Sequence, residues 1–383
     1  MKNVRWLSLV LFIFPVTIAS AQYADDDVTI HSNRKAKDPF KANGKSGITD
    51  SSSTSTTISL PAFGPEEKDL GSINISGIQI INAVSDSSSL GYVQTGMFNR
   101  WKEAGPDKPY TEYLQSYVDR RYGPMYKKDA AQLIWVIQEL RVSERTFNMS
   151  EKSFLHLKAI SFTGSNGDAF RQVAVLDTIL VKGGMDVTHK HGENIATALQ
   201  ILLDRSLTTV PNADNPVYTM AAIREKALQR YHVPALEAKE HADGIYLTFK
   251  EFINDQPSIS NITYSLDNNA VHFYKTDGSG NKTLVDKFWG VRKNGILYKQ
   301  HYDQLIPIEQ KQNSIALTSY LSQARKRNNA IIASAAGGGL IGGAIAGAAA
   351  GSAVLPLVDN IPYIRKKAPM ATRVDIETGE FAL

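Results

Sequence analysis

The sequence predicts an α+β protein: a small antiparallel-sheet domain with two helices, then a second β-rich domain and a Gly/Ala-rich hydrophobic helical segment. Three observations carry this reading. Three apolar runs of strand length, residues 133–142, 154–162 and 170–181, follow one another, the last two across a connector rich in turn residues. Two stretches, near residues 110–121 and 194–203, place their apolar residues at helical spacing. Residues 330–358 contain no charged residue, and Gly339, Gly343, Gly347 and Gly351 fall along one side of a helix, where the missing side chains let another helix backbone approach.

Residues 1–21 carry Lys2 and Arg5, an apolar stretch over 6–18, and Ala19-Ser20-Ala21, the pattern of a signal peptide cut after Ala21. The apolar part is short for a hydrocarbon core about 30 Å thick, so cleavage is expected rather than anchoring. The mature chain is therefore expected to be exported and periplasm-facing. No cysteine occurs among the 383 residues, which excludes lipid attachment through cysteine, thiol catalysis, cysteine-ligated zinc and iron–sulfur clusters. Folded parts must rest on apolar cores, and 43% hydrophobic residues suffice for two modest ones. The formal charge of +4, less Lys2 and Arg5, is +2, with the basic residues scattered. That argues against nucleic acid as a partner.

Residues 22–72 read as a flexible polar tether, with Asp25-Asp26-Asp27, a basic patch at Arg34, Lys35 and Lys37, and a Ser/Thr run over 51–57. The first domain spans residues 73–208. It opens with a strand marked by Ile78, Ile80 and Ile81 and a polar loop over 85–89. A helix follows, with Pro109 near its start and Gly123-Pro124 as its stop, repeating Tyr113, Leu114, Tyr117 and Val118 on one face. The three runs then form a meander. In the third, Val173, Val175, Ile179 and Val181 share one face with Asp177 while Ala174, Leu176 and Leu180 share the other, so both faces are expected to be covered. A closing helix starts at Asn194 and aligns Ile195, Ala198, Leu199, Leu202 and Leu203. This arrangement, with its last helix opening at His191-Gly192-Glu193-Asn194-Ile195, resembles in topology the small domains of bacterial envelope transport-auxiliary lipoproteins, from which it departs in having no lipidation cysteine.

After the turn-rich residues 211–216, the second domain, residues 216–327, begins with a helix near 220–231 and continues as strands at 245–252, 262–266, 271–274, 284–291 and 296–298. The connector Lys293-Asn294-Gly295 is a strong hairpin signal. The phrases over 244–252 and 288–295 resemble a recurrent module of uncharacterised exported envelope proteins of the Bacteroidetes, which implies a lineage and a compartment but no activity.

A helix over 330–355 would be about 39 Å long, enough to span a bilayer, while its glycines lower both hydropathy and helix propensity. Arg325-Lys326-Arg327 before it and Arg365-Lys366-Lys367 after it leave the positive-inside rule without asymmetry. The tail, residues 359–383, holds a strand at 373–376 and a Thr378-Gly379 turn. A single span would part this tail from the second domain, and a hairpin returning it to that domain is the rival; membrane association is the favoured expectation.

Candidate chemistry is sparse. His189, His191 and Glu193 form the sharpest metal candidate: two histidines two apart share a side of a strand, a carboxylate follows, and Gly192 would let the chain fold back. The plainer reading of the same residues is a polar strand end and helix start. Gly44-Lys45-Ser46 fails as a phosphate loop because Pro39 stands at the position of its first glycine. Trp101, Tyr110, Tyr113, Tyr117, Tyr122 and Tyr126 could line a groove or serve as ordinary half-buried aromatics. No hydrolase motif is present and no cofactor is implied. The leading functional expectation is an exported, membrane-associated, non-enzymatic envelope protein with a structural or assembly role, touching lipid or like helices through residues 330–358 and able to self-associate. The alternatives are a soluble periplasmic ligand-binding module and a metal-dependent periplasmic enzyme using His189, His191 and Glu193.

Overall fold

The computed structural model describes residues 40, 55–62, 73–95, 100–147, 150–165, 168–212, 214–267, 270–302, 304–317, 320–321 and 369–383. Helices and strands are mixed throughout, with strands in the majority. The signal sequence and residues 330–358, including Gly339, Gly343, Gly347 and Gly351, lie outside the described residues. Among the described residues no helix is long and apolar enough to cross a membrane.

The first sheet is built from β1 (Thr56–Ile58), β2 (Ile75–Asn82), β3 (Gly91–Thr95) and β4 (Arg100–Pro106), then helix α1 (Tyr110–Tyr122), then the long strands β5 (Ala131–Phe147), β6 (Ser150–Gly164) and β7 (Phe170–Gly184). Helix α2 (Lys190–Thr208) and the short β8 (Val217–Tyr218) complete it. The order is β1-β4-β3-β5-β6-β7-β8, with β2 also on β5. The expected meander is present as β5, β6 and β7, but the sheet is mixed, not antiparallel, because β1 pairs β4, and β2 and β3 pair β5, in parallel. The reason is the long connection between β2 and β5, which carries the β3–β4 hairpin and α1 and lets the chain cross back to run parallel to β2.

Strands β2 and β3 share one edge of β5. Chain leaves that edge at Ala83, whose N–H still reaches the Ile137 carbonyl (2.9 Å), and rejoins it at Leu90, whose carbonyl accepts from Val142 N–H (2.7 Å). Gly91 makes the return possible. Its φ of +131° lies outside the usual range of L side chains, and a Cβ would run into the Val142 carbonyl oxygen.

One face of this sheet packs on α1 and α2, with Trp135, Leu157 and Leu176 meeting Leu114, Leu199 and Leu202 in one core. Helix α1 also closes the outer edge of β2: the Gln115 side chain accepts from Ile80 N–H and donates to the Ile78 carbonyl, both at 2.9 Å. The expected tether is not polar chain throughout. Thr56–Ile58 pairs with Ala104–Pro106, Ile58 is buried in the same core, and Gly192 in α2 is needed because a Cβ there would strike the Ser59 carbonyl. Gly192 thus serves close approach within a helix rather than a chain reversal. Phe40, from the same stretch, is buried edge-on against Tyr264, Phe273 and Tyr298.

After β8 come α3 (Met220–Gln229), capped by the Thr219 hydroxyl, α4 (Pro234–Glu237), β9 (Gly244–Tyr246) and α5 (Phe249–Ile253). The expected strand over 245–252 therefore splits. Thr248 accepts from Glu251 N–H (3.3 Å) while Glu251 accepts from Leu247 N–H (2.8 Å), a reciprocal cap that starts a helix where apolar spacing alone suggested more strand. Strands β10 (Ile262–Asp267), β11 (Ala270–Thr276) and β12 (Lys282–Val285) form a separate three-stranded sheet.

A seven-stranded antiparallel sheet follows from β13 (Gly290–Lys293), β14 (Ile296–His301), β15 (Gln304–Lys311), β16 (Ser314–Ala316), β17 (Arg373–Val374) and β18 (Phe381–Ala382), with β9 at its far end. The expected strand over 284–291 is thus divided between two sheets. Asn294 and Gly295, both at positive φ, make the two-residue turn that the sequence called for. The tail rejoins this sheet: β17 pairs β16, and Leu317 N–H bonds the Thr372 carbonyl at 3.0 Å.

Candidate functional site

The residues singled out as a metal candidate go three ways. His189 is exposed ahead of α2, and Glu193 faces Lys182 of β7 at 3.1 Å. His191 is fully enclosed, with Nδ1 2.9 Å from Ser153 Oγ and Nε2 3.1 Å from Glu144 Oε2, while Asn194 donates to Ser153 Oγ at 3.0 Å. Among the described residues no three His, Asp or Glu side chains are grouped to hold a metal.

Serine, histidine and carboxylate in hydrogen-bond order are the parts of a nucleophile relay. Here Ser153, His191 and Glu144 are all at 0% exposure, so a substrate has no path to the hydroxyl. The network instead ties α2 to β5 and β6. Nearby, burial and the neighbouring Glu144 push the Glu151 carboxyl above the usual carboxylate range, against the pull of the Val187 N–H. The tyrosines of α1 are core residues rather than groove walls: Tyr110, Tyr113, Tyr117 and Tyr122 are buried, and burial drives each phenol's pKa upward.

On the opposite face of β5, a bulge between Ile137 and Glu139 brings a second carboxylate inward. Glu139, at 0% exposure, receives Arg373 Nη1 at 3.0 Å and Nη2 at 2.8 Å, and Arg230 Nη2 at 3.0 Å. Arg230 follows α3 and Arg373 lies on β17, so one carboxylate holds the helix and the returning tail against the first sheet. Tyr231 hydroxyl to the Ala83 carbonyl (2.8 Å), Lys311 to Asp86 (3.1 Å) and Arg141 to the Ser89 carbonyl (2.6 Å) extend the junction. Sequence reading missed this cluster because its members are scattered from 83 to 373; the one local sign was charge interrupting an apolar strand at Glu139 and Arg141.

Two surface features remain. A cleft of about 290 Å³ opens on the second sheet between Arg292, Leu297, Pro307, Ile308 and Gln310. Behind it, His241 links Gln310 to Asp255 at 3.2 Å on each side, and Asp255 accepts from the Tyr246 hydroxyl. The other feature is the outer side of β7. Beyond Phe170 and Arg171, which pair β8, it has no strand partner among the described residues. Val175, Ile179 and Val181 stand 50%, 47% and 50% exposed on the face expected to be covered. The expectation failed because the second layer covers this face over β5 but stops short of β7.

Comparison with known proteins adds little. No family model and no curated protein matches the chain. A solved structure titled "Crystal structure of uncharacterized protein" is similar over 39% of this chain and 98% of its own, at 11% identity and a TM-score of 0.21, a likeness too slight to carry an argument.

Proposed function

We propose that this chain is an exported, non-enzymatic envelope protein with an assembly role, which engages its partner by strand addition along β7. The edge carrying Val175, Ile179 and Val181 supports this, because backbone groups without a strand partner beside apolar side chains are what strand addition uses. We read the chain as two domains, residues 73–208 and 216–327, the second completed by the tail. A photo-crosslinking residue at Ile179 in intact cells should yield one discrete adduct; only uncrosslinked protein would sink this reading.

Membrane association through residues 330–358 belongs to the same proposal, with one constraint. Leu317 and Thr372, which flank that stretch, are hydrogen-bonded, so any chain entering a bilayer between them returns to the side it left. Cysteines at Asn313 and Thr378 should then be labelled from one side of sealed envelope vesicles by an impermeant maleimide. Labelling from opposite sides would establish a single span instead.

The cleft near Arg292 favours a second reading, a ligand-binding module, since its volume is near the lower end for small-molecule sites. Small carboxylates with an apolar body suit its lining. A rise in melting temperature with such compounds that is lost in Arg292→Met would support it.

A further inference from the structure

The open edge of β7 matches itself. Strand β8 closes the outer side only at Phe170 and Arg171, and β7 ends at Gly184, so the free stretch is 172–184 with Thr178 at its midpoint. Arg205 donates to the Val175 carbonyl (3.4 Å), which marks residue 175, and with it 177, 179 and 181, as turning main-chain groups outward. The side chains of these same residues form the exposed face.

We propose that the protein dimerises about a two-fold axis at Thr178, β7 pairing antiparallel with β7 of a second copy. This deepens the strand-addition reading and rests on it. The register sets Val175 against Val181 of the second copy and Asp177 against Ile179, outward-turned residue opposite outward-turned residue, so the hydrogen bonds of an antiparallel ladder can form. Centring on Asp177 would oppose two carboxylates directly. Centring on Ile179 would set Val175 against Gly183 and leave part of the edge unused.

Charge does not oppose the match. Asp177 is held by His156 at 2.7 Å and Lys182 by Glu193 at 3.1 Å, so both charged side chains of the free stretch are already partnered within their own chain. Exposed edges are commonly guarded by proline, unpaired lysine or a covering segment. The β2 edge is covered in this way by α1, whereas along residues 172–184 only the single side chains of Asn215, Arg205 and Lys190 reach the carbonyls of Gln172, Val175 and Gly183, and the stretch contains no proline and no unpaired charge.

The axis makes Thr178 its own opposite number in a non-hydrogen-bonded pair, with Cα atoms about 4.5 Å apart, within disulfide reach. The natural chain has no cysteine, so the test is clean. Full-length Thr178→Cys should cross-link to dimer under mild oxidation, and Asp277→Cys, on an exposed hairpin tip, should not. The double change Val175→Lys with Ile179→Lys should abolish Thr178→Cys cross-linking while leaving the circular dichroism and melting temperature intact. Amide exchange at 175–181 should slow about tenfold between dilute and concentrated protein. Cross-linking of Thr178→Cys no greater than that of Asp277→Cys, with exchange independent of concentration, would overturn the dimer. If those amides are then protected by adding solubilised envelope proteins, strand addition survives with a different partner; if they stay unprotected, both fail.

Discussion

Glu139 and Glu144 sit on the same strand, are equally buried, and serve different ends. Glu144 turns toward α2 and joins His191, Ser153 and Asn194, all within the first layer. Glu139 turns to the other face and gathers Arg230 and Arg373 from the second layer and the tail. The first network fixes one helix on its sheet through short hydrogen bonds. The second compensates two guanidinium groups at once, so neither the packing of the layers nor the return of the tail is independent of it. An odd separation along a strand is enough to send two identical side chains to opposite faces.

The largest test of this contrast is Glu139→Ala. It leaves the buried Arg373 without its carboxylate and Arg230 with only the half-exposed Glu377 at 3.6 Å, and should cost about 3–5 kcal/mol in urea unfolding. Replacing Glu139, Arg230 and Arg373 together by leucine and methionines should cost less than the single change, since a cluster removed whole leaves no stranded charge. A triple variant weaker than Glu139→Ala would mean that the arginines pack independently of the carboxylate.

His191→Ala should be milder, about 1–3 kcal/mol, because it leaves hydrogen-bonding partners unsatisfied but removes no ion-pair hub. His189→Ala should fall within about 0.5 kcal/mol, as befits an exposed residue. Near-stoichiometric zinc in purified protein, lost in both variants, would reverse that order and restore the metal reading.

The smallest effect concerns pH at the junction. Burial raises the Asp86 and Asp375 carboxyls, but hydrogen bonds outweigh it, from Ser88 and Lys311 in one case and from Thr378 and Glu377 in the other, and both end below their ordinary value. A depressed folded-state pKa contributes stability that is present above the unfolded value, about 4, and is lost as pH falls through the folded one. Melting temperature should therefore drop in that acidic window, and Asp375→Asn should flatten part of the drop. An unchanged profile would assign the acid sensitivity to other carboxylates.

What the sequence determined alone is local. The meander at β5–β7, helices α1 and α2, the Asn294-Gly295 turn and the strand of the tail, though not its return to β16, each follow from periodicity or from a residue suited to one backbone conformation. The capping pair Thr248 and Glu251 was legible too, but the apolar run around it pointed to a strand. Tertiary structure alone decided the rest. The partners of Glu139 lie 91 and 234 residues away, and nothing in the spacing of a chain encodes which distant cation will arrive. The burial of Ile58 and Phe40 from a polar stretch, and the exposure of Val175, Ile179 and Val181 from an apolar one, depend on where a second layer begins and ends. Side-chain patterning states which face of an element is apolar; only the packing of whole layers settles whether that face is covered.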